Sequence, residues 1–224
     1  EVTSGRIRFM VAECNRNIVA VLGLEFHPPR ETMCEWITGV VLKKYRSLGL
    51  MNTLFHLAEK EMTAIPGISA GYGFSVTYHD ISQRAMGRLG FLPTGFLLSV
   101  LSIGSINHSF MRDGNLKHHH VIIVKPCEKR DVGTIYVPRE HEGFVRGIYD
   151  KLGVNLKLKT NSVPLSGKTA WEVEDDLGQK STTIWVDRAG ADLLQVIDEI
   201  EGRRKDRLST INLFLNISDD KAPA

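Results

Sequence analysis

The sequence predicts an α/β fold: a mixed, mainly antiparallel sheet flanked by helices, followed by a second, smaller α/β unit. Three observations predict it. β-Branched and aromatic runs recur between turn signals, as at 17–26 and 36–42. They alternate with stretches whose apolar residues return every three or four positions, as at 50–62 and 193–200. A chain of 224 residues, 42% apolar and 24% charged, is also large enough to bury a core in one large or two small domains.

In order along the chain, 6–13 and 17–26 read as strands, with Cys14-Asn15-Arg16 as a tight hairpin turn. His27-Pro28-Pro29-Arg30 forces an extended loop. The run 36–42 reads as a buried strand in which Gly39 suggests a bulge or a close backbone approach. Leu50, Met51, Leu54, Phe55, Leu57, Ala58 and Met62 then mark the apolar face of a helix that Pro66-Gly67 closes. A strand is expected at 72–78. Asp80 to Gln83 has the spacing of a helix cap with a glutamine reaching back, Ile81, Ala85, Met86 and Leu89 form that helix's face, and Gly90 ends it. Strands at 91–101 and 120–125 would complete the first sheet, separated by a polar excursion at 102–117.

A boundary is expected at 126–132, dividing a first domain at 1–127 from a second at 128–224. Pro138 opens a helix that Gly153 ends, with Phe144, Val145, Ile148, Tyr149 and Leu152 on its apolar face. Strands follow at 169–174 and 182–186, then a helix at 189–204 carrying Leu193, Leu194, Val196, Ile197 and Ile200, and a strand at 210–215.

Between the strand at 36–42 and the helix after it lies Lys43-Lys44-Tyr45-Arg46-Ser47-Leu48-Gly49. A basic turn leading into a helix N-terminus suits an anion, because the first helical amides lack intrahelical acceptors and the dipole favours negative charge there. Gly49 would let a phosphate approach the backbone.

These residues resemble motif A of the GNAT family of N-acetyltransferases, the Gln/Arg-x-x-Gly-x-Gly/Ala run that grips the pyrophosphate of acetyl-CoA. Arg46 and Gly49 match it, and Met51 stands where the family has Gly or Ala. Downstream, the helix ending in Gly90-Phe91 resembles motif B. The family's asparagine before that helix falls at His79, its alanine at Ser82 and its common general-acid tyrosine at Met86. The two motifs stand in the family's order and in the expected strand–helix contexts. The resemblance covers about 6–124. It lacks the family's usual first strand and first two helices, which form much of the acceptor site. The second half follows the family's element order alone and is expected to be a degenerate unit, with the acidic turn Asp187-Arg188-Ala189-Gly190-Ala191-Asp192 where the first has base.

The resemblance implies an N-acetyltransferase moving an acetyl group from acetyl-CoA, as co-substrate, to an amine on a small molecule or protein. The alternative it leaves is a module without catalysis that binds CoA or a protein partner. Pantetheine would pair with backbone at Val40, Val41 and Leu42, and the amides of Arg46, Ser47, Leu48, Gly49, Leu50 and Met51 would take the phosphates, with charge from Arg46 and Lys44. Glu35 is the candidate base, and Tyr78 or His79 the candidate acid in place of Met86. A solvated strand end is an equally good reading of Glu35, and a structural tyrosine the commoner one of Tyr78.

Other function classes find little support. A net charge of +2 does not call for nucleic acid, and no apolar stretch is long enough to span a bilayer. Cys14, Cys34 and Cys127 fit free thiols in a reducing cytoplasm. A homodimer is the assembly left open. His118 and His120 share a strand face but lack a further metal ligand, and Ser166-Gly167-Lys168-Thr169 lacks the glycine and following helix of a phosphate loop. Asn107 and Asn216 head glycosylation sequons without meaning in the cytoplasm. A start at Glu1 and an end soon after a strand suggest a fragment of a longer polypeptide.

Overall fold

The computed structural model describes residues 5–26, 32–102, 117–127, 131–161, 163–178, 180–204 and 209–223. The loop expected at His27-Pro28-Pro29-Arg30, most of the excursion at 102–117 and the Asn107 sequon lie outside them. The chain divides into two compact units, 1–95 with 121–129, and 96–120 with 130–224.

In the first unit, β1 (Ile7–Cys14) and β2 (Asn17–Phe26) form an antiparallel hairpin closed at Cys14 and Asn17. Asn15 and Arg16 both have positive φ, 51° and 63°, the conformation a two-residue turn needs to match strand twist. β3 (Met33–Val41) pairs antiparallel with β2. Helix α1 (Leu50–Ala64) then crosses to β4 (Ala70–Val76), which runs parallel to β3. Helix α2 (Ile81–Arg88) leads to β5 (Leu92–Ser102), and β6 (Lys117–Pro126) returns between β4 and β5, giving the order β1-β2-β3-β4-β6-β5. This mixed, mainly antiparallel sheet with flanking helices is the α/β architecture expected from the sequence.

The core lies under α1. Leu54, Phe55, Ala58 and Met62 pack on Leu22, Leu24, Cys34, Trp36, Phe91, Val121 and Ile123. Gly71 makes this contact possible: a Cβ there would lie 2.5 Å from Met62 Sδ. Burial of side chains of this size contributes about 1.5–3 kcal/mol each. Leu57, read as part of the apolar face, is exposed.

Helix α2 departs from its expected start. Asp80 holds φ −100° and ψ 3° and makes no cap; its carboxylate pairs with Arg84 at 3.1 Å, and Gln83 Nε2 donates to Val76 O at 2.9 Å. The extended backbone that aims a cap at the second or third amide is absent. Ile81 is exposed rather than packed. The end of α2 is as expected. Gly90 has φ 86°, its N–H bonds Gly87 O, and Phe91 N–H bonds Met86 O, so the last turn of the helix closes on its own carbonyls. Phe91 meets Trp36 edge-on at 4.9 Å, so the Gly90-Phe91 pair ties α2 to β3.

The second unit contains two strands not predicted, β7 (Asp131–Tyr136) and β8 (Asn155–Lys159), paired parallel around α3 (Glu142–Leu152). Gly153 ends α3 with φ 68°, and Phe144, expected to pack, is exposed. β9 (Ala170–Asp176) pairs antiparallel with β10 (Ser181–Arg188), and α4 (Leu193–Arg204) connects β10 to the parallel β11 (Thr210–Leu215). Ile184, Val186 and Ile200 form a small core there, while Leu194 is exposed.

Candidate functional site

The candidate site is built where β3 leaves β4. The two strands pair at Met33–Ala70, Cys34–Gly71 and Glu35–Tyr72, and their register goes no further. Two features turn β3 away. Val21 pairs with Val40 and Gly23 with Ile37, so Leu22 alone faces both Thr38 and Gly39: a β-bulge. Thr38 carries φ 54°, in the left-handed region. The bulge foreseen at Gly39 is therefore present, with the strained conformation one residue earlier.

The strand expected to be buried is buried only in its first half. Cys34 and Trp36 are enclosed, but Thr38, Gly39 and Val40 are exposed, because β3 has no neighbouring strand on that side beyond Glu35. Leu42 N–H bonds Val19 O at 2.9 Å, toward β2. Alternation along the strand then turns the backbone of Val41 toward the open side, and the backbones of Val40 and Leu42 away from it. The Val41 carbonyl accepts Arg46 Nε at 3.2 Å. Of the three residues read as the pantetheine strand, Val41 alone offers its main chain to the cleft, and Arg46 occupies its acceptor. Val40 and Leu42 are 50% and 47% exposed, and Leu48 beyond them 66%, an apolar lip along the opening.

The basic turn follows directly. Lys43 to Tyr45 form a single 3-10 turn, Arg46 is extended, and Ser47 and Gly49 have φ 66° and 77°. Lys44 Nζ lies 4.8 Å from the Tyr45 ring centroid. Gly49 is the N-cap of α1, no side chain caps the helix, and its first closing bond runs from Thr53 N–H to Gly49 O at 3.1 Å. The amides of Leu50, Met51 and Asn52 thus stand at the positive end of a fifteen-residue helix. A Cβ on Gly49 would have nothing within 4 Å, so the turn is open around it. Met51 packs against the core, and its Sδ and Cε lie 3.7 Å from where a Gly39 Cβ would stand. Its side chain is thus directed to the sheet and leaves its amide at the turn uncrowded.

Glu35 is half-buried at the closed end of the cleft, where Tyr72 Oη donates to its Oε2 at 3.1 Å. Sequence reasoning missed this partner; once β3 and β4 are read as parallel, the register brings the two residues opposite. Tyr78 and His79 lie in the bend between β4 and α2, their rings 4.7 Å apart and edge to face. Burial pushes the Tyr78 phenol above its ordinary value, so it keeps its proton at neutral pH. About six residues of chain, on the order of 15–20 Å, separate Tyr78 from Tyr72. Glu35 thus lies beside the last β3–β4 pair, whereas Tyr78 and His79 follow the end of β4 at Val76. Met86 is buried in the core.

The corresponding strand-to-helix turn of the second unit is filled by its own carboxylates. Asp192 Oδ1 accepts both the amide and the hydroxyl of Thr169 at 2.7 Å, and Asp219 Oδ2 accepts Ala189 N–H at 2.7 Å. The Thr169 hydrogen bonds hold the Asp192 carboxyl below its ordinary value. A Cβ on Gly190 would lie 2.3 Å from Thr169 N, so the turn is closed by packing as well as by charge.

No family model and no curated protein matches the chain. Among solved structures, the chain is similar to the ribosomal-protein-S18-alanine N-acetyltransferase from Escherichia coli, with 14% identity and a TM-score of 0.45 over 55% of this chain and 70% of that one. It is similar to an N-acetyltransferase from Staphylococcus aureus Mu50, with 13% identity and a TM-score of 0.46 over 56% and 71%. An acetyltransferase of the GNAT family from Streptococcus pneumoniae aligns with 14% identity and a TM-score of 0.47 over 56% and 69%.

Proposed function

We propose that the first unit binds acetyl-CoA in the cleft between β3 and β4 and transfers its acetyl group to an amine. The observation that carries this reading is the end of β3–β4 pairing at Glu35–Tyr72, immediately before an open, uncapped helix N-terminus reached through a basic turn. A ligand that is an extended amide chain at one end and a pyrophosphate at the other matches that succession. Its amide arm would pair with the Val41 main chain, and its phosphates would sit on the amides from Ser47 to Asn52. Arg46 would leave the Val41 carbonyl for the phosphates, exchanging a neutral acceptor for a charged one. The apolar lip of Val40, Leu42 and Leu48 would cover the arm's methyl groups.

In the transfer, a neutral amine attacks the thioester carbonyl, the tetrahedral intermediate collapses, and CoA thiolate leaves. Glu35, held by Tyr72, would accept the amine proton through water. Tyr78, protonated and next to His79, would return a proton to the thiolate. The second reading, CoA binding without transfer, is favoured by the burial of Met86 where an acid would stand.

Calorimetric titration of CoA and acetyl-CoA into the intact chain and its Arg46→Glu variant tests the binding claim. Replacing the cation by an anion is expected to weaken CoA by a hundredfold or more, since a hydrogen bond between charged groups contributes about 1.5–3 kcal/mol and the variant adds repulsion. Equal affinity in the two proteins would refute it. A screen of amine acceptors for thiol release separates the catalytic reading from the binding one.

A further inference from the structure

In the second unit, Leu193, Val196 and Ile200 of α4 pack against Ile184, Val186, Ile211 and Leu215 of the sheet. Ile197 and Leu213 are not part of that core. Leu213 stands opposite Ile184 in the β10–β11 register, so its side chain leaves the sheet on the α4 side, yet it is 46% exposed. Helix α4 therefore leaves a flank of the edge strand β11 uncovered. The result is a cavity of about 520 Å³ with Ile184, Ile197, Ile211 and Leu213 in its wall and Glu201 and Arg204 beside them. Small-molecule sites occupy about 300–1,000 Å³ and set a few polar groups in an apolar wall.

The two charged residues are held apart. Ile197, Glu201 and Arg204 recur at spacings of four and three, on one stripe of α4. Glu201 and Arg204 are thus neighbours of the kind that ordinarily pair along a helix. Here they do not. Arg204 is drawn to β9 instead, where its Nε donates to Asp175 Oδ1 and Oδ2 at 2.8 and 3.0 Å, and Asp175 Oδ1 also accepts the Thr182 hydroxyl. That grip fixes the guanidinium and leaves its two terminal nitrogens without a partner among the described residues. Glu201 is exposed and has no ion pair or hydrogen bond among them either. An acid and a base stand three residues apart beside one aliphatic cavity, each with bonding capacity left.

We propose that this cavity binds a free α-amino acid with an apolar side chain. Its ammonium meets Glu201, its carboxylate meets the terminal nitrogens of Arg204, and its side chain lies on the aliphatic wall. Charge complementarity selects this class of ligand. Asp175 already offsets part of the Arg204 charge, so a bare carboxylate would face Glu201 unbalanced. A bare amine would leave the guanidinium fork empty. A zwitterion carrying both groups on one carbon answers both, and gives the second unit a ligand of its own.

Calorimetric titration of the intact chain with L-leucine, glycine, isocaproate and isopentylamine is the test. Isocaproate and isopentylamine keep the leucine skeleton and lack its ammonium and its carboxylate in turn. Leucine is expected to bind saturably and each of the other three at least tenfold more weakly. Glycine loses the apolar burial, and the two analogues lose one charged contact each. Glu201→Gln is expected to weaken leucine and isopentylamine about tenfold without weakening isocaproate. Arg204→Lys keeps a cation for Asp175 but not the fork, and is expected to weaken leucine and isocaproate while leaving isopentylamine unchanged. In each variant the unaffected ligand shows that the cavity is still formed. No saturable leucine binding, an analogue that matches leucine, or a Glu201→Gln variant that binds leucine as the parent does overturns the assignment.

Discussion

The two strand-to-helix turns respond in opposite ways to the same substitution. At Gly49 an added methyl meets nothing within 4 Å, so Gly49→Ala bears only the cost of an L-residue at φ 77°. That cost is about 1–2 kcal/mol. At Gly190 the methyl would lie 2.3 Å from Thr169 N, 2.4 Å from Lys168 C and 2.8 Å from Gly167 O. These are backbone atoms, which cannot rotate away as a side chain can. Making room separates the two segments and breaks the bonds from Gly190 N–H to Thr169 Oγ1 and from Ala191 N–H to Gly167 O. Overpacking of this kind together with two hydrogen bonds amounts to about 3 kcal/mol or more. Urea unfolding followed by tryptophan fluorescence reads both changes, with Trp36 reporting the first unit and Trp171 and Trp185 the second. CoA titration supplies the functional contrast. Gly49→Ala is expected to weaken CoA binding despite its small stability cost, and Gly190→Ala to leave the affinity of the folded chain unchanged. A Gly190→Ala variant within about 0.5 kcal/mol of the parent would refute the packing argument. Unaltered CoA affinity in Gly49→Ala would refute the assignment of that turn to the phosphates.

Two further outcomes concern the core beneath the cleft. Burial, with Cys127 and Glu35 nearby, raises the Cys34 thiol from 9.0 to about 12. Between those values the unfolded chain releases a proton that the folded chain keeps, so stability falls as pH rises from 9 toward 12. Cys34→Ala should flatten that slope in urea unfolding at successive pH values; an equally steep fall in the variant would exclude Cys34 as its cause. Gly71→Ala would press a methyl to 2.5 Å from Met62 Sδ and 3.1 Å from Trp36 Nε1, and Met62 has no exposed surface into which to retreat. A cost of about 1–3 kcal/mol, or roughly 2–4 °C in Tm per kcal/mol, is expected by scanning calorimetry, and an unchanged Tm contradicts it.

Much of this fold is legible in the sequence because each element carries its own punctuation. β2 and β11 run over the expected residues, the hairpin turn falls at Asn15 and Arg16, and Gly90 and Gly153 end their helices in the left-handed conformation. The errors arise where tertiary contacts override local signals. The register of α4 is one example: Gly190 and Asp192 are drawn into bonds with Thr169, so the helix begins at Leu193 and not at Ala189. Asp80, spaced as a cap, instead pairs with Arg84. β8 was visible as the alternation Leu156-Lys157-Leu158-Lys159, but so short a run carries little weight without its partner β7. In the site, the basic turn and its glycine were readable from residue types alone. The Glu35–Tyr72 bond and the exposure of the second half of β3 were not, since both depend on which strand lies beside β3 and where their pairing stops.

Amide hydrogen exchange of the intact chain, with and without saturating CoA, tests the cleft most directly. The account predicts slowed exchange at Val41 and Gly39, whose main chain faces the open side of β3, and at the amides from Ser47 to Asn52, with α4 and β11 unchanged. Protection confined to other segments, or none at these amides while CoA is bound, would contradict it.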